Sequence, residues 1–284
     1  MSEAVKAPPR ARWSGAVPPV LPPLTGRERA RLGFRLVWAV AALVFFFGLF
    51  LLARAVDWLV ERLAGRPASA LGPAVVQVWA AQALASLGLA YVQRGEPMRS
   101  GGAFVANHSS WIDIWALQRA AAPFLVSKAE VRDWPGVGLI GRAIGTMFID
   151  RRPAQAKAQE AELLARLARG DRMAIFPEGT STDGQRILAF KSALFGVFFA
   201  PELAGQVAVQ PVTIRYRPPE GLPAAVYGWW GEMDFAGHLR DVLARSAGGT
   251  VELTFRAPLR PEAFGGRKEM AAAAEAAVRA GFGA

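Results

Sequence analysis

The sequence contains no cysteine. Disulfides and thiolate chemistry are therefore excluded, while the compartment stays open. There is no G-x-S-x-G elbow either, which removes the usual serine-hydrolase arrangement of α/β enzymes. No small-residue cleavage site follows the first apolar run at the proper distance, so a removable signal peptide is not expected. Acidic residues are the scarcer charge, 23 against 33 Lys and Arg, which leaves a formal charge of +10 on a chain that is 52% hydrophobic. That pairing suits attraction to anionic surfaces, and a bilayer, a nucleic acid or an acidic carrier protein could supply one. A length of 284 residues fits one catalytic domain with an appended segment better than two full domains.

Residues 1–32 are rich in Pro, Ala and Arg, and Pro8, Pro9, Pro18, Pro19, Pro22 and Pro23 forbid a continuous helix, so a flexible basic tail is expected. Lys6, Arg10, Arg12, Arg27, Arg29 and Arg31 come without an aromatic stacking pattern and run directly into an apolar stretch. This favours a cytoplasmic membrane flank over a nucleic-acid arm, and no nucleic-acid partner is expected. From Leu36 to Ala53 the chain carries no charge, and eighteen residues as helix reach about 27 Å, close to a bilayer's hydrocarbon thickness. A second uncharged stretch, Pro67 to Val92, is softer, with Gln77, Gln82 and many alanines. Arginines place the N-terminus in the cytoplasm, so a single span would carry the C-terminal residues outside. A hairpin dipping into one leaflet, or two passes, keeps both ends at the cytoplasmic face of the inner membrane.

Beyond Tyr91 the pattern alternates. Phe104–Ala106, Phe124–Ser127, Met147–Asp150, Met173–Phe176, Val207–Ile214 and Val251–Phe255 suit buried strands. Pro153–Arg169 carries an apolar stripe of Leu163, Leu164 and Leu167 against charged neighbours, as a sheet-covering helix does. The expected architecture is α/β, a sheet with flanking helices, preceded by an N-terminal membrane helical segment or hairpin. The corresponding division is a tail over 1–32, anchor segments over 33–95 and a catalytic domain over 96–284. Gly136, Gly138 and Gly141 spell G-x-G-x-x-G, but no strand precedes them, so close packing of a short helix is expected and no cofactor or metal. Pro211 predicts a strand edge, since proline cannot donate to a central ladder. The alanine-rich end from Pro261 is expected to close in a helix with nothing chemical in it.

The densest signal runs from Gly102 to Asp113, where a short apolar run stops at Asn107 and His108, and Ser109 or Ser110 can cap a helix with Asp113 in its first turn. With His108 in the turn before that helix, Asp113 can reach back to its ring, fix one tautomer and stabilise the imidazolium that forms when a proton is taken. Taken alone, the pair is equally a satisfied histidine at a strand end. Three later blocks decide between the two: Gly145-Thr146-Met147-Phe148-Ile149-Asp150-Arg151, Phe176-Pro177-Glu178-Gly179-Thr180 and Val209-Gln210-Pro211-Val212-Thr213-Ile214.

With these four blocks in order, the chain resembles the glycerolipid acyltransferase family, which includes 1-acylglycerol-3-phosphate and lyso-ornithine lipid acyltransferases. The resemblance spans about Phe104 to Ile214. It implies direct transfer of an acyl group from a thioester to a lysolipid hydroxyl, with His108 as base and Asp113 as its orienter, and no serine or cysteine nucleophile. It also implies acceptor-binding roles for Asn107, Arg151, Glu178, Gly179, Thr180 and Lys191. The donor would be acyl carrier protein or acyl-CoA. One departure stands out: many members that accept lysophosphatidate carry an arginine directly after the threonine, and here that place is Ser181. Arg151, Arg186 or Lys191 could compensate, or the acceptor is lyso-ornithine lipid, in which case Glu232 and Asp234 could meet its cationic group. The competing class is a membrane-tethered lipid-binding protein without catalysis.

Overall fold

A computed structural model describes residues 12–65, 71–134, 136–150 and 152–283. Its first long element is α1 (Gly26–Ala64), opened by a capping box in which Thr25 Oγ1 accepts from Glu28 N and the Glu28 carboxylate accepts from Thr25 N. At 39 residues it is about 58 Å long, far beyond the apolar run that predicts it. Among the described residues it alone is long and apolar enough to cross a membrane, which suits membrane association.

The helix α2 (Leu71–Ser86) runs back along α1 as an antiparallel hairpin. Buried Asp57 of α1 accepts from the amides of Leu71 and Gly72, satisfying the first turn of α2, and Trp38 donates to Ser86 Oγ at the other end. The second uncharged stretch is therefore divided. Its helical part packs on the domain through Trp79, whose ring meets Trp115 at 5.5 Å, and its remainder forms the strand β1 (Leu89–Arg94), which the sequence pattern does not separate from the anchor.

The remaining elements are β2 (Gly102–Ala106), α3 (Ile112–Ala121), β3 (Phe124–Lys128), α4 (Val137–Ala143), β4 (Met147–Ile149), α5 (Pro153–Ala168), β5 (Arg172–Ile175), β6 (Ala208–Arg217), α6 (Phe235–Arg245), β7 (Gly249–Phe255) and α7 (Arg267–Phe282). They form a seven-stranded sheet of order β1-β7-β6-β2-β5-β3-β4, parallel except between β6 and β7. Strand β2 is buried along its whole length, and its side chains alternate between two cores. Phe104 and Ala106 join Leu84, Ile112 and Leu243 on one face, while Ala103 and Val105 join Leu167, Phe198 and Val278 on the other. Removing a side chain such as Phe104, with no exposure, costs about 3–5 kcal/mol.

Two expectations are corrected. Pro211 lies in β6, an interior strand, rather than at a sheet edge. Its place is tolerated because β6 faces a break on that side: Val209 bridges Leu259 and Val212 pairs with Phe255, so two residues of β6 oppose three of the partner. The Gln210 side chain fills the gap, donating to Arg256 O and Glu96 O and accepting from Met98 N. The basic tail, expected to be free, is seated on the domain over its described part. Trp13, Ala16 and Pro19 are partly buried. Trp230 Nε1 donates to Ala16 O (2.9 Å), and Arg31 and Arg35 donate to carbonyls at the C-terminus of α6.

The G-x-G-x-x-G run makes close packing. A Cβ on Gly138 would lie 1.8 Å from the Arg132 carbonyl oxygen, and a 3-10 turn over Ala129–Asp133 precedes α4, not a strand.

Candidate active site

The parallel register sets the C-terminal ends of β2, β5 and β6 side by side, so the loops after β2 and β5 meet outside the sheet. Asn107, next after β2, is buried. It closes a two-bond clamp on Ile214 of β6, with Nδ2 donating to its carbonyl and Oδ1 accepting from its amide, both at 2.8 Å. This fixes where the next residue leaves the sheet. That residue is His108.

The His108 ring is partly exposed, at 21%, and its Nδ1 lies 2.8 Å from Asp113 Oδ2. Asp113 is fully buried and accepts three further hydrogen bonds, from Ser109 N, Ser110 N and the Tyr216 hydroxyl (2.6 Å to Oδ1). A carboxylate so surrounded stays an acceptor, so Nδ1 carries the proton and Nε2 is left with its lone pair. Burial, and then the Asp113 charge, push the Tyr216 hydroxyl well above its usual range, which keeps it a donor. Phe176 stacks on the imidazole at 4.1 Å and fixes its plane.

The loop after β5 holds the histidine from the other side. Glu178 Oε1 accepts from His108 N and Oε2 from Leu188 N, each at 2.7 Å, and the side chain is buried. Both oxygens are thus occupied by backbone amides, and in this structure Glu178 tethers the backbone of His108. Burial pushes its carboxyl up to about 7, against the pull of those two amides. Gly179 turns with φ +71, a conformation that favours glycine, and Lys191 Nζ lies 2.5 Å from where a Cβ would be. Thr180 Oγ1 accepts from Trp13 N at 3.3 Å, and Thr182 N donates to His108 O at 3.0 Å. Ser181 donates to the Trp229 carbonyl, which directs this position toward the loop before α6. Arg151 lies outside the described residues.

His108, Asp113, Asn107, Glu178, Gly179, Thr180 and Lys191 are therefore gathered at one end of the sheet. Sequence reasoning missed Tyr216, Thr182 and Trp13. A tyrosine near the end of a largely buried strand was a usable signal, because a buried phenol needs a partner; the other two carried none. The second histidine, His238, is no rival base. It is buried, accepts from Trp111 Nε1 at its Nδ1, and burial lowers its pKa to about 4.

Residues 86–215 match the family model described as Acyltransferase. A lyso-ornithine lipid O-acyltransferase of Rhodobacter capsulatus is 44% identical over 278 residues, covering 96% of this chain and 98% of that protein. The chain belongs to the glycerolipid acyltransferase family. A second relative, the lyso-ornithine lipid O-acyltransferase of Pseudomonas aeruginosa, is 36% identical over 77% of this chain and 82% of its own length. A 1-acyl-sn-glycerol-3-phosphate acyltransferase of Neisseria gonorrhoeae is 32% identical over 49% and 54%. Among solved structures, the 1-acyl-sn-glycerophosphate acyltransferase of Thermotoga maritima shares the fold at a TM-score of 0.69, with 22% identity over 90% of this chain and 95% of that one. Within this fold, the loops after β2 and β5 carry the His108–Asp113 dyad and its tether.

Proposed function

We propose that the protein is a lysolipid O-acyltransferase of the inner membrane, facing the cytoplasm, that uses lyso-ornithine lipid at least as well as 1-acyl-sn-glycerol-3-phosphate. The observation that carries the chemistry is His108, held by buried Asp113, with its ring partly exposed and its Nε2 making no hydrogen bond among the described residues. The acceptor hydroxyl gives its proton to Nε2, its oxygen attacks the thioester carbonyl, and the tetrahedral intermediate collapses to the new ester. The departing thiolate then takes the proton from the imidazolium. Ser109 and Ser110 are buried, so neither hydroxyl is placed to carry an acyl group, and transfer is direct. The thioester is that of acyl carrier protein or coenzyme A, both anionic, which the chain's +10 charge suits.

The acceptor reading rests on the near full-length similarity to the Rhodobacter capsulatus enzyme and on the loop before α6. Ornithine carries an ammonium that lysophosphatidate lacks, and the Glu232 carboxylate, 88% exposed there, pairs with Arg12 at 3.7 Å, a surface contact that an ammonium can replace. Asp234 instead caps α6, accepting from Gly237 N at 2.6 Å. Lys191, Arg151, Gly179 and Thr180 are assigned to the acceptor side, with Asn107 and Glu178 as holders of His108. The anchor comprises α1 and α2, and the acyltransferase domain begins with the sheet at Leu89.

The test is a side-by-side assay of the purified enzyme with both lysolipids, using acyl-CoA and acyl carrier protein in turn, repeated on Ser181→Arg. Activity on lyso-ornithine lipid, together with a shift of Ser181→Arg toward lysophosphatidate by about tenfold, is expected. Use of lysophosphatidate alone by the wild type would reject the acceptor reading. Transfer to neither would reject the enzyme and leave a tethered lipid-binding protein.

A further inference from the structure

The arginine absent after Thr180 leaves open what grips the acceptor's anionic group, a carboxylate or a phosphate. Arg186 lies in the same loop. Thr182 Oγ1 donates to the Arg186 carbonyl, and Thr182 N donates to His108 O, so the backbone of Arg186 is two hydrogen bonds from that of the proposed base. Its guanidinium is fixed on two sides. Nε and Nη2 reach the two oxygens of buried Asp183 at 3.2 and 2.9 Å, and the plane lies over the Trp13 ring at 5.0 Å. The side chain is nevertheless 48% exposed, and its Nη1 makes no hydrogen bond among the described residues. A guanidinium with one edge clamped, one face stacked and the other edge open is a pre-ordered anion ligand.

Trp13 is ordered in turn by the domain. Its amide donates to Thr180 Oγ1, its ring packs 6.2 Å from that of Trp230, and neighbouring Arg12 donates to Gly231 O at 3.1 Å. The strap runs on from Trp13 into α1 at Gly26, so the segment that orders the loop is continuous with the membrane helix.

We propose that Arg186 takes the anionic head group of the acceptor and that Trp13, from the N-terminal strap, is the positioning residue that holds it ready. This rests on the acyltransferase reading above. It gives a segment outside the catalytic domain a part in substrate selection, and it locates the missing charge downstream of Ser181 in the same loop.

The test is full kinetics of the full-length chain, with each lysolipid, on Arg186→Gln, Trp13→Ala, Trp13→Phe and the Arg186→Gln/Trp13→Ala double variant. In Arg186→Gln the acceptor KM is expected to rise about tenfold while kcat and the donor KM stay within about twofold. Trp13→Ala should give a smaller rise of the same kind, and Trp13→Phe, which keeps a stacking face, should recover most of it. The double variant should be no worse than Arg186→Gln alone, because Trp13 acts through Arg186. A rise with lyso-ornithine lipid assigns the contact to a carboxylate, one with lysophosphatidate to a phosphate, and one with both to a shared anion site. An unchanged acceptor KM in Arg186→Gln, or additive effects in the double variant, overturns the proposal while leaving the acyltransferase in place. A wild type that transfers to neither lysolipid overturns the function first and this proposal with it. Because Arg186 is half-exposed, its variant decides the question even if Trp13→Ala unfolds.

Discussion

The surroundings of His108 and the surface of α1 are opposite solutions to the same problem of solvent. At the dyad, the Asp113 carboxylate has no exposure and four donors, and the Glu178 carboxylate is buried with both oxygens bound. Polar groups there have been taken from water and given fixed partners, which makes each contact strong and each loss costly. Along α1 it is apolar groups that stay uncovered: Phe34, Val37, Val44, Phe45, Leu52 and Trp58 are all exposed. An apolar surface of that extent suits a lipid solvent. The exposed apolar face of α1 and the dyad are thus physically separate, although the hairpin packing, the strap and the contacts of Arg31 and Arg35 with the end of α6 join α1 to the domain, and chemistry and attachment should fail separately under mutation.

The sharpest break is His108→Ala. Loss of the proposed base should lower turnover by at least about a hundredfold with membrane attachment intact, measured on vesicle-bound enzyme. Retained activity would end the base assignment. The reciprocal break is Phe45→Arg on the exposed face of α1, where a charge at bilayer depth costs about 2.5–3.5 kcal/mol. Most of the protein should move to the soluble fraction in a flotation assay, while turnover on detergent-dispersed substrates stays within about twofold. If it remains bound, the anchor lies elsewhere.

Tyr216→Phe probes the dyad more gently. Removing one hydrogen bond to a carboxylate is worth about 1.5–3 kcal/mol, so kcat should fall about tenfold or more, with the acceptor KM little changed. The same variant should leave flotation untouched. The smallest expected effect concerns pH. Glu178 titrates near 7 in the folded chain against an ordinary value of 4.5, so the folded state holds its proton more tightly. The stability this brings is fully present below about pH 4.5 and is lost as pH rises through 7. The melting temperature should therefore fall between pH 5 and pH 8 more steeply in the wild type than in Glu178→Gln; equal slopes would remove Glu178 as the source.

Several features were legible because they are local. His108 and Asp113 are five residues apart, so a turn followed by a helix start is enough to join them. The stripe Leu163, Leu164 and Leu167 announces α5 by its period alone, and six of the strands show as apolar runs between turn residues. Strand β1 was hidden because Leu89–Val92 continues an uncharged, alanine-rich stretch, and only its pairing with β7 distinguishes it from the end of a membrane segment. Pro211 was misplaced for a related reason: proline's lack of a donor is a local fact, but the break that excuses it lies in the segment that follows β7.

The sequence by itself determined the chemistry-bearing residue types, their order, and the long apolar helix, because periodicity, capping and motif spacing are written in consecutive residues. Tertiary structure alone decided which atoms those residues meet. Tyr216 is 103 positions from Asp113, Glu178 is 70 from His108, and Trp13 is 167 from Thr180. Contacts at such separations are fixed by the register of β2 against β5 and β6 and by where the strap crosses the sheet's end, which no local pattern encodes.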